Sequence, residues 1–538
     1  MSLNKETTVD MDVLKALVDD SPNLATAVGA TVEERVGGEA WYGSMAVMAS
    51  PTTKKRRGSS LKQVLAALSG NLGTINTGMM FGFSAVTIPQ LRLPESFIQI
   101  TQEEASWIAS LSSVSTPFGC ILSGYLLDAI GRKRTIILTL MPMIIGWFLI
   151  YAASSIYMIY VGRLLVGLGA GMMGSPARVY TGEVTQPHLR GMLAAVASVG
   201  VSLGVTIQYI VGAFVSWNSL ALFNGIVPSI GLMTAFFLPE SPSWLLNQGK
   251  TEAARNALTR LRGDTCDIEG ELQDLINFAN KTNSNKKSSM KDTLRAILHP
   301  SALKPFLILA SYFLIYQFSG VNPVTFYAVE IIQDSGADMN KYMATIVLGL
   351  VRLGFTVVSC IMMRRCGRRP LTFISSVFCG LSMFGLGYYM FLAEGWKEEG
   401  ATAIAAWFPL LNLFIFMAAS TIGYLVVPWV MIGELYPSKV RGIMGGMTTF
   451  VGHFCVFVVV KTFPFFQSLS KYGTFMMYGT VSLLGTIYFY LYLPETKGRT
   501  LQEIEEYFCS KDKGMTTNPT NNNNKPTIVK PKKDGSLP

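Results

Sequence analysis

The chain has 538 residues, of which 50% are hydrophobic and 14% are charged, and its mean hydropathy is +0.37. Soluble proteins carry about 25% charged residues, so this composition argues against a soluble protein and for one with many membrane spans. The chain has a net charge of +10, and its basic clusters lie in loops between apolar segments. Because basic residues in such loops set the orientation of membrane spans, the charge gives little reason to expect nucleic acid as a partner.

Twelve apolar runs, each about long enough to cross a bilayer, follow a polar first segment in which no cleavable signal peptide is expected. We number them spans 1 to 12 in chain order. They cover residues 64–88, 105–127, 135–155, 157–182, 191–215, 219–238, 303–327, 341–363, 371–394, 404–432, 442–466 and 473–493.

Basic residues occupy one set of loops. KKRR (54–57) precedes span 1, GRKR (131–134) follows span 2 and RRCGRR (364–369) follows span 8, whereas EGWKEEG (394–400), after span 9, is mixed. Because Lys and Arg are enriched in cytosolic loops, both termini are predicted to be cytosolic.

Three pairs of short stretches recur in the same order along the chain. GYLLDAIGRKR is echoed by MMRRCGRRP, GEVTQPHLRG by GELYPSKVRG, and PESPSW by PETKGR. Three matches in register indicate a duplicated six-span unit, as in secondary transporters whose binding site lies between two halves. The predicted fold is therefore an all-α membrane protein with twelve transmembrane helices in two six-helix bundles. Its predicted segments are a cytosolic tail (1–60), a first bundle (61–238), a cytosolic helical linker (239–300), a second bundle (301–494) and a cytosolic tail (495–538).

No cofactor or metal is predicted. GAGMMG (169–174) matches a dinucleotide-binding pattern, but it lies inside an apolar span and not in a βαβ unit. Gly167, Gly171 and Ser175 instead recur every four residues, the stripe that lets two helices approach closely. The seven Cys and three His show no disulfide or metal spacing, and no nucleophile–base pair supports an enzyme.

Together these stretches resemble the sugar porters of the major facilitator superfamily, over about residues 60–510. The resemblance rests on GRKR, GRLLVGLGAG, GEV…RG, PESPSWLL, QFSGVN, GEL…RG and PETKGRTL. It is greatest to the insect branch associated with facilitated trehalose transport, and it implies a small sugar as substrate and the plasma membrane as location. It leaves the oligomeric state open.

The charged motifs are expected at the cytosolic ends of the spans, where opposite charges can pair across helices while the inner side is closed. In the resembled family such residues form a conformational latch; the alternative is that they only set topology and packing. The predicted latch residues are Arg132, Arg163, Glu183, Arg190, Glu240, Arg368, Glu434 and Arg441.

Span 7 carries two amides, Gln317 and Asn322, within six positions. An unpaired amide is costly in lipid, and Gly320 and Pro323 favour a broken helix, which is tolerated beside protein or a wet cavity. Tyr316 and Tyr327 fall with Gly320 and Pro323 on one face of a continuous helix. Amides suit sugar hydroxyls, and in the resembled family the positions of Gln317 and Asn322 bind sugar. The alternative is that they merely join helices.

Further site residues come from the resemblance and from departures from it. Trp429 occupies the family's sugar-stacking position, with an interfacial anchor as the alternative. Ser198 replaces an amide in span 5, and His453 stands where many members have Trp. Arg352 stands where relatives often have Asn; a charge at this depth suggests function, unless the side chain extends to an interface. Tyr316 and Tyr327 complete the predicted substrate-binding set.

The favoured function is facilitative transport of a neutral sugar, trehalose or a hexose, by alternating access. Proton-coupled relatives carry an acid in span 1, where this chain has Ser84, so a uniporter is expected, with His453 as a second titratable candidate. The alternatives are a carrier of another, anionic solute selected by Arg352, and a sugar sensor that does not transport.

Overall fold

The computed structural model describes residues 59–193, 195–263, 266–283, 295–399, 404–437, 440–499 and 501–509, which are almost entirely helical. The KKRR cluster, nearly all of the N-terminal tail, residues 284–294 of the linker and the C-terminal tail after residue 509 lie outside the described residues.

The described residues contain twelve spans, which confirms the predicted fold class. Ten of these described spans are long and apolar enough by themselves to cross a membrane. Span 5 is shorter, with 17 residues, and span 1 has 32 residues but buries the polar side chains of Gln63, Asn71 and Asn76. Spans 1 to 6 are the helices Ser60–Leu91, Gln102–Ile130, Arg132–Tyr151, Ile156–Val184, Val196–Gly212 and Trp217–Phe237.

The second half contains two interrupted spans. Span 7 consists of three helices and extends to Asp334, seven residues beyond the predicted end, because two breaks let it turn and continue. Span 10 is interrupted between Ile422 and Val427. Spans 7 to 12 are Pro300–Phe318 with Val321–Phe326 and Ala328–Asp334, Lys341–Arg365, Arg368–Glu398, Phe408–Ile422 with Val427–Leu435, Arg441–Leu469 and Lys471–Tyr492.

The linker forms the expected short helices. They are Pro242–Asn247, Thr251–Arg262 and Ile268–Asn283, and a further helix, Leu501–Cys509, follows span 12. The linker helices lie against the first half: the indole of Trp244 donates to the Asp128 carbonyl at the end of span 2 (3.1 Å), and Arg262 donates to the Val184 carbonyl at the end of span 4 (2.7 Å).

Glycines set the closest helix contacts within the first half. A Cβ at Gly167 would lie 2.1 Å from the Ser112 carbonyl oxygen, and one at Gly171 would lie 2.0 Å from the Thr116 oxygen, both on span 2. Any larger residue would force spans 2 and 4 apart. The predicted role in close helix packing is confirmed for Gly167 and Gly171, whereas Ser175 is exposed.

The spans alternate in direction, so the bundle has two ends. We call the end at which span 1 begins and span 2 finishes the basic face, because Arg132 and Arg368 lie there. The opposite end, where spans 1 and 11 finish, is called the distal face.

Candidate functional site

The break in span 7 brings its two amides together, as expected from Gly320 and Pro323. Gly320 has φ = +90°, a left-handed conformation that favours glycine, and it caps the short helix Val321–Phe326. The Asn322 side-chain amide donates to the Gln317 carbonyl oxygen, and both side chains are buried. This bond leaves the Gln317 amide nitrogen and the Asn322 carbonyl oxygen for a ligand.

The same break separates the two tyrosines, so the expectation of one continuous helical face through Tyr316 and Tyr327 is wrong. Tyr316 is buried against the rings of Phe313 and Tyr424. Tyr327 follows the second break, and its hydroxyl donates to the Val460 carbonyl of span 11 (3.2 Å). Both tyrosines therefore pack within the second half.

Trp429 lies in an aromatic group contributed by three spans. Its ring centroid is 5.0 Å from that of Phe313 on span 7 and 5.7 Å from that of His453 on span 11. Pro428 at the start of the helix Val427–Leu435 places the ring just after the break in span 10. Trp429 is thus held inside the bundle and is not an interfacial anchor. Ser198 lies in the first turn of span 5, half-buried, near the basic face.

Arg178 on span 4 faces this group from the other half, and the sequence analysis did not identify it. Its guanidinium carbon lies 5.9 Å from the centroid of the Trp429 ring. The repeat contained the signal: Glu434 follows Glu183 by 251 positions, and Trp429 follows Arg178 by the same number. Equivalent positions in the two repeats therefore meet between the halves.

Arg352 is buried near the middle of span 8. It is 3% exposed, and one guanidinium nitrogen donates to the Thr325 hydroxyl beside the break in span 7 (2.9 Å). Its Nε atom has no hydrogen-bond partner among the described residues. The hydroxyl of Tyr209, from the first half, donates to the Thr325 carbonyl (2.7 Å). Burial at this point excludes an arginine that extends to a membrane interface.

Arg163 does not lie at the basic face, and this part of the latch prediction is wrong. Span 4 runs from the distal to the basic face, so its eighth residue falls in the distal half. The fully buried guanidinium donates to the Ile108 and Met80 carbonyls (2.9 and 3.1 Å) and to the Ser84 hydroxyl (2.9 Å). Arg163 thus joins spans 1, 2 and 4 and meets the serine that replaces the family's acid.

The other charged motifs form two matched clusters at the basic face. In the first half, Arg132 makes a two-pronged bond to Glu183 (2.9 Å for each contact), and Glu240 accepts from the backbone N–H of Arg132 (2.9 Å). In the second half, Arg368 pairs with Glu434 (2.6 and 3.1 Å), and Glu495 accepts from its backbone N–H (3.0 Å).

Glu495 was not identified from the sequence, although it lies 255 positions after Glu240, the offset of the repeated PES and PET motifs. Arg190 and Arg441 are also matched: Arg190 donates to the Thr185 carbonyl and Arg441 to the Tyr436 carbonyl, each five residues earlier. Each cluster's described ion pair joins residues of the same half, and neither pair bridges the two halves. The latch role itself therefore stays a prediction.

We expect Glu434→Gln to slow transport while leaving solute binding largely intact. The change leaves the Arg368 guanidinium, which is 15% exposed, without its counter-charge. The free-energy difference between the open and closed states of the basic face is therefore altered, because the unpaired charge is more costly in one state than in the other. Uptake rate and binding affinity are measured in parallel, with the exposed Arg134→Gln as the control. Normal transport by Glu434→Gln would mean that the cluster serves packing and topology only.

Contacts between the halves close the distal face. Lys461 of span 11 pairs with Glu103 of span 2 (2.7 Å), and Arg92 after span 1 pairs with Glu330 of span 7 (2.9 Å). Nearer the middle, Ser202 of span 5 bonds to Thr356 of span 8 (2.7 Å) and Thr206 donates to the Gly349 carbonyl (2.8 Å).

Toward the basic face, the facing helices of the two halves, spans 4 and 10, have open space beside them. A Cβ placed at Gly174 or Gly182 of span 4, or at Gly433 of span 10, would meet no described atom within 4 Å. Arg178 lies between the two glycines of span 4 and is solvent-exposed although it faces the other half. The central space with Arg178 and Trp429 is therefore open at the basic face and closed at the distal face.

Comparison with known proteins agrees with this architecture. The family model described as "Sugar (and other) transporter" matches residues 58–508. A facilitated trehalose transporter from Culex quinquefasciatus is 34% identical over 465 residues, which cover 85% of this chain and 88% of that protein. One from Apis mellifera ligustica is 32% identical over 449 residues, which cover 83% and 88%.

Solved structures show the same fold. The xylose transporter XylE from E. coli, in a partially occluded inward-open conformation, superimposes with a TM-score of 0.66 at 21% identity, covering 82% of this chain and all of that one. The family model alone spans most of the chain. The chain therefore belongs to the sugar transporter family, a family of membrane transporters and not of enzymes.

Proposed function

We propose that the protein carries a neutral sugar, trehalose or a hexose, down its gradient across the plasma membrane by alternating access. The observation that supports this is the central space, which is open at one face only and holds Trp429 opposite the other half. Transport requires the bundles at 61–238 and 301–494 to rock, so that the distal contacts open and the basic face closes. The basic face is the cytosolic side, with both termini there.

The proposed sugar contacts are the amides of Gln317 and Asn322 and the ring of Trp429. Amides donate and accept together, which suits neighbouring hydroxyls, and a flat indole suits the C–H face of a pyranose. The names of the Culex and Apis relatives support trehalose as the first sugar to test.

Uniport is supported by the surroundings of Arg163. Its guanidinium bonds to the hydroxyls of Ser84 and Ser112 and to backbone carbonyls, and none of these groups exchanges a proton near neutral pH. A carboxylate at Ser84 would supply a titratable partner; a serine does not. Sugar flux is therefore expected to run without a proton.

Uptake into liposomes that hold the purified protein tests this function. Labelled trehalose and glucose are expected to reach, and not exceed, the outside concentration, with or without an imposed pH gradient. Accumulation driven by protons alone would overturn uniport and point to His453. Binding of a sugar without any flux would identify a sensor and overturn the transport proposal.

We expect Asn322→Ala to weaken sugar binding by about 1–3 kcal/mol, because a buried polar partner is lost and Gln317 is left without its bond. The matched control is Asn412→Ala in span 10. That buried amide donates to the Phe408 carbonyl of its own helix (2.9 Å), away from the central space. Equal affinities in wild type and Asn322→Ala, for a sugar that wild type transports, would remove the amide pair from the site.

A further inference from the structure

Arg178 places a full positive charge in the central space. Arginine stays protonated at any physiological pH. The side chain is exposed to the space between the halves, with the open positions Gly174 and Gly182 one turn before and after it on span 4. Its contact with the Trp429 ring, at 5.9 Å, lies at the outer limit for a cation–π interaction and is therefore weak.

The described residues supply no carboxylate to pair with this charge. The nearest carboxylates along the two facing helices lie closer to the basic face. Glu183 follows Arg178 by five residues, and Glu434 follows Trp429 by five residues. Glu183 is held by both prongs of Arg132 and Glu434 by both prongs of Arg368. Ser241 and Thr496 donate further bonds to the same two carboxylates. Arg178 thus faces the space with its hydrogen-bonding edge available.

An uncompensated cation at this place opposes the transport cycle. In the observed state water can hydrate the guanidinium from the open basic face. Alternating access passes through a state in which both faces are closed, and a desolvated charge without a partner is then strongly unfavourable. A bound anion would remove that cost, because a guanidinium binds a carboxylate or phosphate through two parallel hydrogen bonds.

We propose that Arg178, with Trp429 opposite it, forms a subsite for the acidic group of a sugar, so that the carrier accepts sugars bearing a carboxylate or a phosphate in addition to neutral sugars. This inference rests on the proposed sugar transport. The chemistry shared by both ligands is a planar or tetrahedral oxyanion, which the guanidinium fork recognises. The indole receives the apolar face of the same sugar.

The subsite has a kinetic consequence. A carrier loaded with a sugar acid crosses the closed state with its charge compensated, whereas the empty carrier returns with Arg178 unpaired. Exchange of one sugar acid for another should therefore be faster than net uptake. We expect about a tenfold stimulation of labelled acid uptake when the vesicles are preloaded with the same unlabelled acid.

The test uses the full-length protein in liposomes with four labelled solutes: trehalose, glucose, glucuronate and glucose 6-phosphate. In Arg178→Gln we expect acid flux to fall about tenfold more than neutral-sugar flux, and preloading to lose its effect. Arg178→Lys keeps the charge without the fork and should retain part of the acid flux. Arg134→Gln removes an equal charge from an exposed site on span 3 and serves as the control.

The outcomes separate the two proposals. Flux of glucuronate or of glucose 6-phosphate that depends on Arg178 supports the subsite and identifies the carboxylate or the phosphate as its ligand. Flux of neutral sugars, with neither acid transported nor competing with trehalose in wild type, overturns the subsite and leaves the proposed function standing. Acid flux that is equal in wild type and Arg178→Gln also overturns it. Absence of any sugar flux refutes both proposals. The wild-type competition measurement decides the matter even if Arg178→Gln fails to fold.

Discussion

We expect Arg163→Met to lower the free energy of unfolding, by about 1–3 kcal/mol for each buried acceptor that is left without a donor. The side chain is fully buried, and its guanidinium bonds to groups on two neighbouring spans, among them the Met80 and Ile108 carbonyls and the hydroxyls of Ser84 and Ser112. Methionine fills much of the volume but donates no hydrogen bond, so these buried acceptors lose their donor.

The measurement is the midpoint of unfolding in mixed micelles of increasing SDS content. Arg134→Met, at an exposed site on span 3, is the matched control and should leave the midpoint unchanged. Arg163→Lys keeps the charge but reaches fewer acceptors, so an intermediate midpoint is expected. A wild-type midpoint in Arg163→Met would show that the network does not hold spans 1, 2 and 4 together.

We expect Lys461→Glu to shift the protein toward a state with an open distal face. The Lys461 ammonium lies 2.7 Å from Glu103, 2.7 Å from the Ser106 hydroxyl and 4.0 Å from the centroid of the Trp107 ring, all on span 2 of the other half. Reversing the charge replaces these attractions with repulsion of Glu103. Because Glu103 is largely exposed and its charge is screened by solvent, we expect a modest shift in the ratio of the two states, and one that weakens further at high salt.

The shift is read from a cysteine placed at Gln467, which lines a cavity of about 520 Å³ at the distal face. An impermeant thiol reagent should label Gln467→Cys faster in the Lys461→Glu background. The swapped pair, Glu103→Lys with Lys461→Glu, restores opposite charges and should restore the wild-type rate. Equal labelling in all three backgrounds would show that this ion pair does not gate the distal face.

The positions of the spans could be predicted from the sequence because the lipid bilayer requires a run of consecutive apolar residues for each crossing. Each crossing needs about 20 apolar residues, and each breaker in such a run has a local effect. The break of span 7 at Gly320 and the close contact at Gly171 were both predictable for this reason. The repeated GEV and GEL motifs likewise predicted equivalent positions, and the clusters around Glu183 and Glu434 are indeed alike.

The repeat contains two further correspondences. Its offset of 251 relates Arg178 to Trp429, and its offset of 255 relates Glu240 to Glu495. Both unrecognised residues lie beside residues that the motifs did identify. A position-by-position comparison of the two halves would have found them without any structure.

What the sequence determined by itself is therefore the membrane-spanning class, the number of spans, the duplication and the helix breaks. The tertiary structure alone decided the partners of the polar and charged residues within the spans. Arg163 bonds to groups 83 and 55 positions earlier in the chain, and Arg178 meets a ring 251 positions later. Hydropathy and motif spacing describe neighbours along the chain, whereas the cost of a charge inside a bundle depends on which distant helices surround it.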